Sequence, residues 1–470
     1  MTALVAGIDS STSATKVEVR EATSGRVVGR GVGRHPATRP PRSEQDPEAW
    51  WAAFESAWAQ AGSPEVAAIS VAGQQHGLVV LDTDRQVVRP AKLWNDTESA
   101  PDAEWLVAQL PGGAADWATA CGTVPVASLT VSKLSWLHRT EPDSWDRLAH
   151  VLLPHDWLTW RLTGQLVTDR GDASGTGYWS PAAGEYRHDL LAIIDDGRDW
   201  APALPRVLGP GEAAGTWGAA TVAPGTGDNM AGALGVGLRS GDVAVSFGTS
   251  GTVYAVSDEP TADPSGAVAG FADASGRYLP LVCTLNATKV TDAVRQLLGV
   301  DHGEFDDLAL DAPAGSGGLT LLPYFDGERT PNRPQATGVL AGLRADVSRA
   351  DLARAAVEGI VCGLLDGLDA LAAFATVDGQ LLAVGGGARS RAVRQVLADL
   401  AGREVVVPAA YEQVAAGACV QAAAVLSGTE PADIADAWQL GAGSSVEPAL
   451  EPGRAAEVRA AYADLRARTA

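Results

Sequence analysis

At 470 residues the chain exceeds the range in which a single hydrophobic core keeps growing, so two domains are the starting expectation. With 46% hydrophobic and 20% charged residues it can bury large cores, which excludes a disordered chain. A formal net charge of −22 argues against nucleic acid or an anionic membrane as partner, since both repel a negative surface. Four cysteines (Cys121, Cys283, Cys362 and Cys419) are scattered without a CxxC pair, which fits reduced thiols rather than a disulfide frame or zinc site. The N-terminus enters a strand at once, and no window holds eighteen uninterrupted apolar residues. A cytoplasmic protein without a membrane span is expected.

The first predicted element is a hairpin, IDSSTSATKVEV from Ile8 to Val19: apolar strand, hydroxyl-rich turn, second strand. Such a turn offers backbone N–H groups and hydroxyls in a concave nest that suits phosphate oxygens. Asp9 ends its first strand, where an acid is either a turn former or a holder of Mg²⁺ through water. A strand-like run from Val66 to Ala72 leads into GQQHG, Gly73 to Gly77. Two amides and an imidazole at a sheet end read as a structural turn or as a polyol-binding loop. Leu78 to Leu81 is the next strand-like run, and LWND then places Trp94 beside Asn95 and Asp96, a pattern suited to sugar contact. Thirteen of the fourteen tryptophans precede position 218, and most are assigned to core or helix surface.

After a strand at Val151 to Leu153, Pro and Gly cluster from Pro202 to Gly227, predicting a linker before a crossover helix. Asp228 follows in APGTGDNMAGALGVG, at the start of a small-residue helix. It reads as an N-cap or as a general base taking a proton from a substrate hydroxyl. A boundary near Arg239 divides the chain into 1–238 and 239–470. The hairpin is then written again as VSFGTSGTVYAV, Val245 to Val256, with Thr249, Ser250, Thr252 and Val256 falling on Thr12, Ser13, Thr15 and Val19. Ser246 and Val253 stand where the first copy has Asp9 and Lys16. Two nests suggest that a nucleotide's phosphates lie between two similar domains. In the long helix predicted from Arg349 to Phe374, Gly359, Gly363 and Gly367 suggest close approach by another helix. The strand Leu381 to Val384 ends in GGGARS, Gly385 to Ser390, where glycines admit a flat ring or a phosphate to a helix start. The whole reads as α/β, with mixed sheets and helices packed outside.

In this order the strings resemble the FGGY carbohydrate kinases, of the actin, hexokinase and heat-shock-chaperone ATPase superfamily, from GIDSSTSATK to EQVAAGA near Gly417. SLTVSKLSWLHRT, centred on Lys133 and Trp136, is similar to the family's first signature, except that Thr140 stands where an amide, acid or His is usual. GVLAGLRADVSRADLARAAVE, Gly338 to Glu358, is similar to the second. The resemblance implies two ribonuclease-H-like domains (actin/hexokinase-like ATPase domains) with an interdomain cleft, the sugar and phosphates on the N-terminal side and the nucleotide on the C-terminal side. It implies ATP and Mg²⁺ as cofactors, a small-molecule sugar as partner, and a homodimer.

LPHDWLTWRLTG, TDRGDASGTGYW and PYFDGERTP look like strings of members that act on D-xylulose. Ribulose, gluconate or glycerol are the alternative acceptors, and a non-catalytic ATP-binding regulator is the alternative of another class. By the same resemblance Asp228 matches the catalytic base, and Gln75, His76, Trp94 and Asn229 match sugar contacts. Asp9 matches the acid near Mg²⁺; Ser11, Thr12, Lys16, Gly248 and Thr249 match the phosphate positions, and Gly386 and Gly387 the adenosine positions. The first hairpin departs from the family, with Ser10, Ser11 and Ala14 in place of Leu and two glycines. A Cβ at Ser11 would collide if that position needs positive φ.

Overall fold

Alternating apolar residues and a four-residue turn make the N-terminal hairpin: β1 (Leu4–Ser10) runs antiparallel to β2 (Ala14–Glu21), and β3 (Val27–Arg34) extends the ladder. The computed structural model describes residues 2–409 and 412–469. Its contacts fall into two units, one of residues 2–238, 257–279 and 412–441, the other of 239–256, 280–409 and 442–469.

In the first unit the apolar run after the hairpin forms β4 (Ala68–Gly73), parallel to β1 and buried along its whole length. The segment Pro202–Gly227 is not a linker. It supplies β5 (Gly215–Trp217), β6 (Ala220–Val222) and β7 (Thr226–Gly227), with β6 and β7 both parallel to β4. Its Pro and Gly residues punctuate the turns between these short strands. The sheet order is β5-β6-β4-β1-β2-β3, with β7 pairing only to β4. Tryptophans build the cores around it: Trp50 and Trp157 lie under the sheet, while Trp117, Trp136, Trp145 and Trp200 centre a helical layer beyond it.

Close backbone packing explains several glycines. The helix Pro47–Gln60 lies on β3 so tightly that a Cβ at Gly31 would stand 1.9 Å from the Ala57 carbonyl oxygen. The helix Gln413–Ser427 crosses the helix Asp228–Gly235 with equal intimacy, and a Cβ at Gly417 would stand 1.8 Å from the Ala231 carbonyl oxygen. Gly417→Ala is therefore expected to cost about 3 kcal/mol or more. A scanning-calorimetry melt indistinguishable from wild type would contradict that packing.

The second unit repeats the order of the first. β8 (Val243–Phe247) pairs antiparallel with β9 (Gly251–Ala255), and β9 with β10 (Tyr278–Thr284). On its other side β8 is parallel to β11 (Leu381–Val384), which is parallel to β12 (Val405–Pro408), and β13 (Gly443–Val446) closes the edge. Both sheets set three consecutive antiparallel strands beside two parallel ones, β3-β2-β1-β4-β6 in the first unit and β10-β9-β8-β11-β12 in the second, the ribonuclease-H-like arrangement that the family resemblance implied. The repeated hairpins are not superposable in register: four residues separate the paired strands in the first copy and three in the second. The long helix forms over Arg349–Ala372, but its glycines chiefly face the sheet side. A Cβ at Gly359 would stand 2.5 Å from the Leu321 carbonyl oxygen and one at Gly367 would stand 3.1 Å from Val282, while Gly363 faces the Tyr462 hydroxyl.

Candidate active site

Three parallel strands of the first unit finish side by side. Asp9 pairs across the ladder with Ala72 and Ser10 with Gly73, while Thr226 and Gly227 pair with the same two residues from the other side. Ligands of α/β sheets bind beyond such carboxyl ends. The register thus gathers Asp9, the loop Gln74–Gly77 and the pair Asp228–Asn229 at one sheet edge.

Asp9 is 4% exposed. Lys16, directly opposite it, places its Nζ 3.5 Å from Asp9 Oδ2 and 2.6 Å from Glu412 Oε2. Burial pushes the Asp9 carboxyl up to about 6 against the pull of Lys16, and Glu412 adds to the rise. In the turn, the Ser11 amide and hydroxyl both donate to the Ala14 carbonyl at 3.0 Å. Neither Ser11 nor Ala14 has positive φ, so a Cβ at these positions carries no backbone strain. The Thr12 hydroxyl donates to Gln74 Oε1 at 3.0 Å and accepts from Trp94 Nε1 at 2.9 Å, which ties the hairpin turn to the Gln74–Gly77 loop and to Trp94, a residue expected on the sugar side.

Asp228 is the first residue of its helix, with Gly227 in the capping position, so the N-cap reading fails. Its Oδ1 accepts from the Asn229 amide at 2.9 Å and from Asn229 Nδ2 at 3.2 Å, and Asn229 Nδ2 donates to Gln75 Oε1 at 2.8 Å. Burial, followed by the negative charges of Asp9 and Asp172, pushes the Asp228 carboxyl up to about 7, although part of the residue still reaches solvent. His76 holds a left-handed backbone with φ of 66°, and its Nδ1 lies 2.8 Å from the Gly175 carbonyl. Non-glycine residues seldom adopt that conformation outside constrained positions.

Sequence reasoning missed the group beneath these loops. His155 is wholly buried, with Nδ1 at 2.6 Å from Asp172 Oδ2 and Nε2 at 3.2 Å from Asp156 Oδ1 and 3.9 Å from Asp169 Oδ1. Burial opposes the charged imidazole, yet the three carboxylates push it up to about 9. Burial pushes Asp156 up to about 7 and Asp169 up to about 6 against the pull of His155. The sequence signal was a His-Asp pair opening a tryptophan- and leucine-rich helix, and acids at Asp169 and Asp172 flanking Arg170 and Gly171. Since His155 is raised above its ordinary 6.5, its stabilising contribution is complete below that pH and is lost as pH rises through about 9. The raised Asp156 acts with the same sign. The melting temperature is expected to fall across that interval; a flat or rising profile would contradict a charged His155.

Asp96 of LWND is structural. With Glu44 and Glu98 it surrounds the buried Lys92 ammonium at 3.0, 3.3 and 2.6 Å, and that ammonium also sits 3.8 Å from the centre of the Trp136 ring. Lys133 of the family signature is likewise buried and donates to the Ala127 and Ser128 carbonyls.

In the second unit β8 and β11 end side by side, bringing the Gly248–Ser250 turn next to Gly385–Arg389. Thr249 is exposed, and the Gly248 carbonyl accepts from the Thr288 amide and hydroxyl at 3.0 and 2.9 Å. A Cβ at Gly386 would meet no atom within 4 Å, whereas one at Gly387 would stand 2.5 Å from Thr288 Cγ2. Gly386 therefore borders open space, and Gly387 is required by packing.

Comparison with known proteins agrees with this architecture. Residues 4–235 match the N-terminal domain of the FGGY family of carbohydrate kinases, and residues 243–426 match its C-terminal domain. The chain is 48% identical over 456 residues to a xylulose kinase of Streptomyces rubiginosus, covering 94% of this chain and 92% of the relative. The solved xylulose kinase of Bifidobacterium adolescentis superposes with a TM-score of 0.88 at 41% identity, over 99% of both chains. A gluconate kinase from Lactobacillus acidophilus superposes with a TM-score of 0.90 at 25% identity, over 100% of this chain and 98% of that one, so the fold alone does not select the sugar. The chain belongs to the FGGY family of carbohydrate kinases.

Proposed function

We propose that the chain transfers the γ-phosphoryl group of ATP to the terminal hydroxyl of D-xylulose, giving D-xylulose 5-phosphate. The observation that carries this reading is the 48% identity over 94% of the chain to a xylulose kinase, with Asp9, Gln75, His76 and Asp228 at one sheet edge. Asp228 takes the proton of the attacking 5-hydroxyl. A carboxyl raised to about 7 is matched to that task, because it is ionised near neutral pH yet basic enough to accept a proton. Asn229 orients Asp228 and is itself held by Gln75. Gln75, His76 and Trp94 contact the sugar hydroxyls.

The buried Asp9 carboxylate fits a hard cation, whose double charge it would neutralise in part and whose arrival would lower its own raised value. Asp9 would hold Mg²⁺, and Thr12 of the turn and Lys16 of β2 would serve the phosphates. Gly248, Thr249, Gly386 and Gly387 serve the nucleotide in the second unit, where the open space at Gly386 suits a flat ring. Mg²⁺ supplies neutralisation of charge on the phosphoryl oxygens. The four unpaired cysteines support a cytoplasmic location.

Two outcomes test the residue roles. The acid limb of kcat/KM is expected near pH 7, since Asp228 must be deprotonated to act; a profile flat down to pH 5.5 would contradict its role. His76→Asn, which tolerates a left-handed backbone, is expected to raise KM for D-xylulose about tenfold while leaving KM for ATP unchanged. An unchanged sugar KM would remove His76 from the site.

A further inference from the structure

Beneath the candidate sugar loops lies a buried polar cluster to which the proposed reaction assigns no part. We propose that His155 is a positioning residue that locks the Gln74–Gly77 loop and the Gly225–Asn229 turn into one fixed geometry, through Asp172 on one side and Asp169 on the other. This inference rests on the sugar-kinase reading of the same site.

Packing gives the first argument. His155 is wedged between two glycine backbones that open the two loops, with its Cβ against Gly73 and its ring against Gly225. A Cβ at Gly73 would stand 2.8 Å from His155 Cβ, and one at Gly225 would stand 2.6 Å from His155 Cδ2. Gly225 also has φ of 80°, so its turn is specified both by backbone conformation and by the ring beside it. Its carbonyl accepts from Gln421 Nε2 at 2.9 Å, which holds the turn from the opposite side.

Hydrogen bonding gives the second. Asp172, 2.6 Å from His155 Nδ1, lies in the short helix Arg170–Ser174. The helix ends at Gly175, whose carbonyl lies 2.8 Å from His76 Nδ1. Asp169 caps the same helix through the Gly171 and Asp172 amides at 2.9 Å, and its Oδ2 accepts from the Thr226 hydroxyl at 2.8 Å, two residues before Asp228. One imidazole thus connects to the sugar-side loop by its hydrogen bond to Asp172 and through Gly175, and to the Asp228 turn by a 3.9 Å charge contact with Asp169, whose carboxylate holds Thr226. The three carboxylates converge on a single cation, so removing it leaves buried negative charge unpaired and releases both arms together.

His155→Asn and Asp172→Asn test this, because each keeps a polar group able to hydrogen-bond across the His155–Asp172 contact where alanine could abolish folding. In His155→Asn the amide nitrogen replaces Nδ1 toward Asp172, while the contacts of Nε2 are lost. Two readouts are taken on the full-length chain: steady-state kinetics with D-xylulose and Mg-ATP, and hydrogen exchange of peptides covering residues 73–78 and 223–230. Both variants are expected to lose about a hundredfold in kcat/KM for the sugar with KM for ATP within twofold of wild type. Exchange is expected to rise in both peptides together and to stay unchanged over Ser11–Ala14. Folded variants with wild-type sugar kinetics and wild-type exchange would overturn the inference. So would equal losses toward sugar and ATP, which is the pattern of general destabilisation. A wild type that phosphorylates no sugar would sink the kinase reading, yet concerted loosening of the two loops in its variants would still support the positioning role.

Discussion

Asp228→Asn is expected to lower kcat by about 10³–10⁴-fold while ATP affinity stays within a few-fold of wild type. The amide matches the carboxylate in size and keeps an acceptor for the Asn229 amide, so the change removes the base and little else. The same variant is expected to melt at a higher temperature at pH 8. A folded-state value of about 7 lies above the ordinary 3.8, so the contribution of Asp228 to stability is complete below pH 3.8 and lost as pH rises through 7. At pH 8 the folded chain holds a carboxylate that burial, Asp9 and Asp172 all disfavour, and the neutral amide relieves this. A helix cap would behave in the opposite way, its loss costing about 1 kcal/mol of stability. Stability gained as activity is lost marks a charge kept for chemistry. Near-normal turnover in Asp228→Asn would reject the base assignment.

Asp9→Asn carries the second large effect. The variant is expected to lose about 10²–10³-fold in kcat and to need about tenfold more Mg²⁺ for half-maximal turnover. Lys16 should stay in place, because Glu412 holds its ammonium at 2.6 Å without help from Asp9. Removal of Mg²⁺ with a chelator should abolish turnover in both proteins, and excess Mg²⁺ should restore the variant in part. A magnesium dependence identical to wild type would place Asp9 outside the metal site and leave it as a buried partner of Lys16.

Much of the fold could be read in the chain because its signals are local. The hairpin at Ile8–Val19 and its repeat, the apolar runs that became β4, β8 and β11, and the helix at Arg349 each declare themselves by periodicity and turn chemistry. The segment Pro202–Gly227 misled because turn residues between three very short strands have the composition of a linker. The helix Gln413–Ser427 was not placed in the first unit because nothing local records that Gly417 meets Ala231, 186 positions earlier. The glycines of the long helix were read as a helix-packing stripe, and only the structure shows them against strand atoms and Tyr462.

The candidate site divides along the same line. Asp9, Gln75, His76 and Asp228 lie where sharp local motifs end strands. His155, Asp169 and Asp172 lie in strings that read only as family-like, and their meaning arises from convergence across 17 residues of sequence. Whether a Cβ is tolerated at Ser11 is likewise a matter of φ, which the residue type alone does not carry.

The measurement that reaches the central claim most directly is ADP release by the wild-type chain with Mg-ATP and a panel of D-xylulose, D-ribulose, gluconate and glycerol. The account requires D-xylulose to give a kcat/KM about tenfold or more above every other acceptor. Preference for another acceptor, or ADP release that no sugar stimulates, would contradict it.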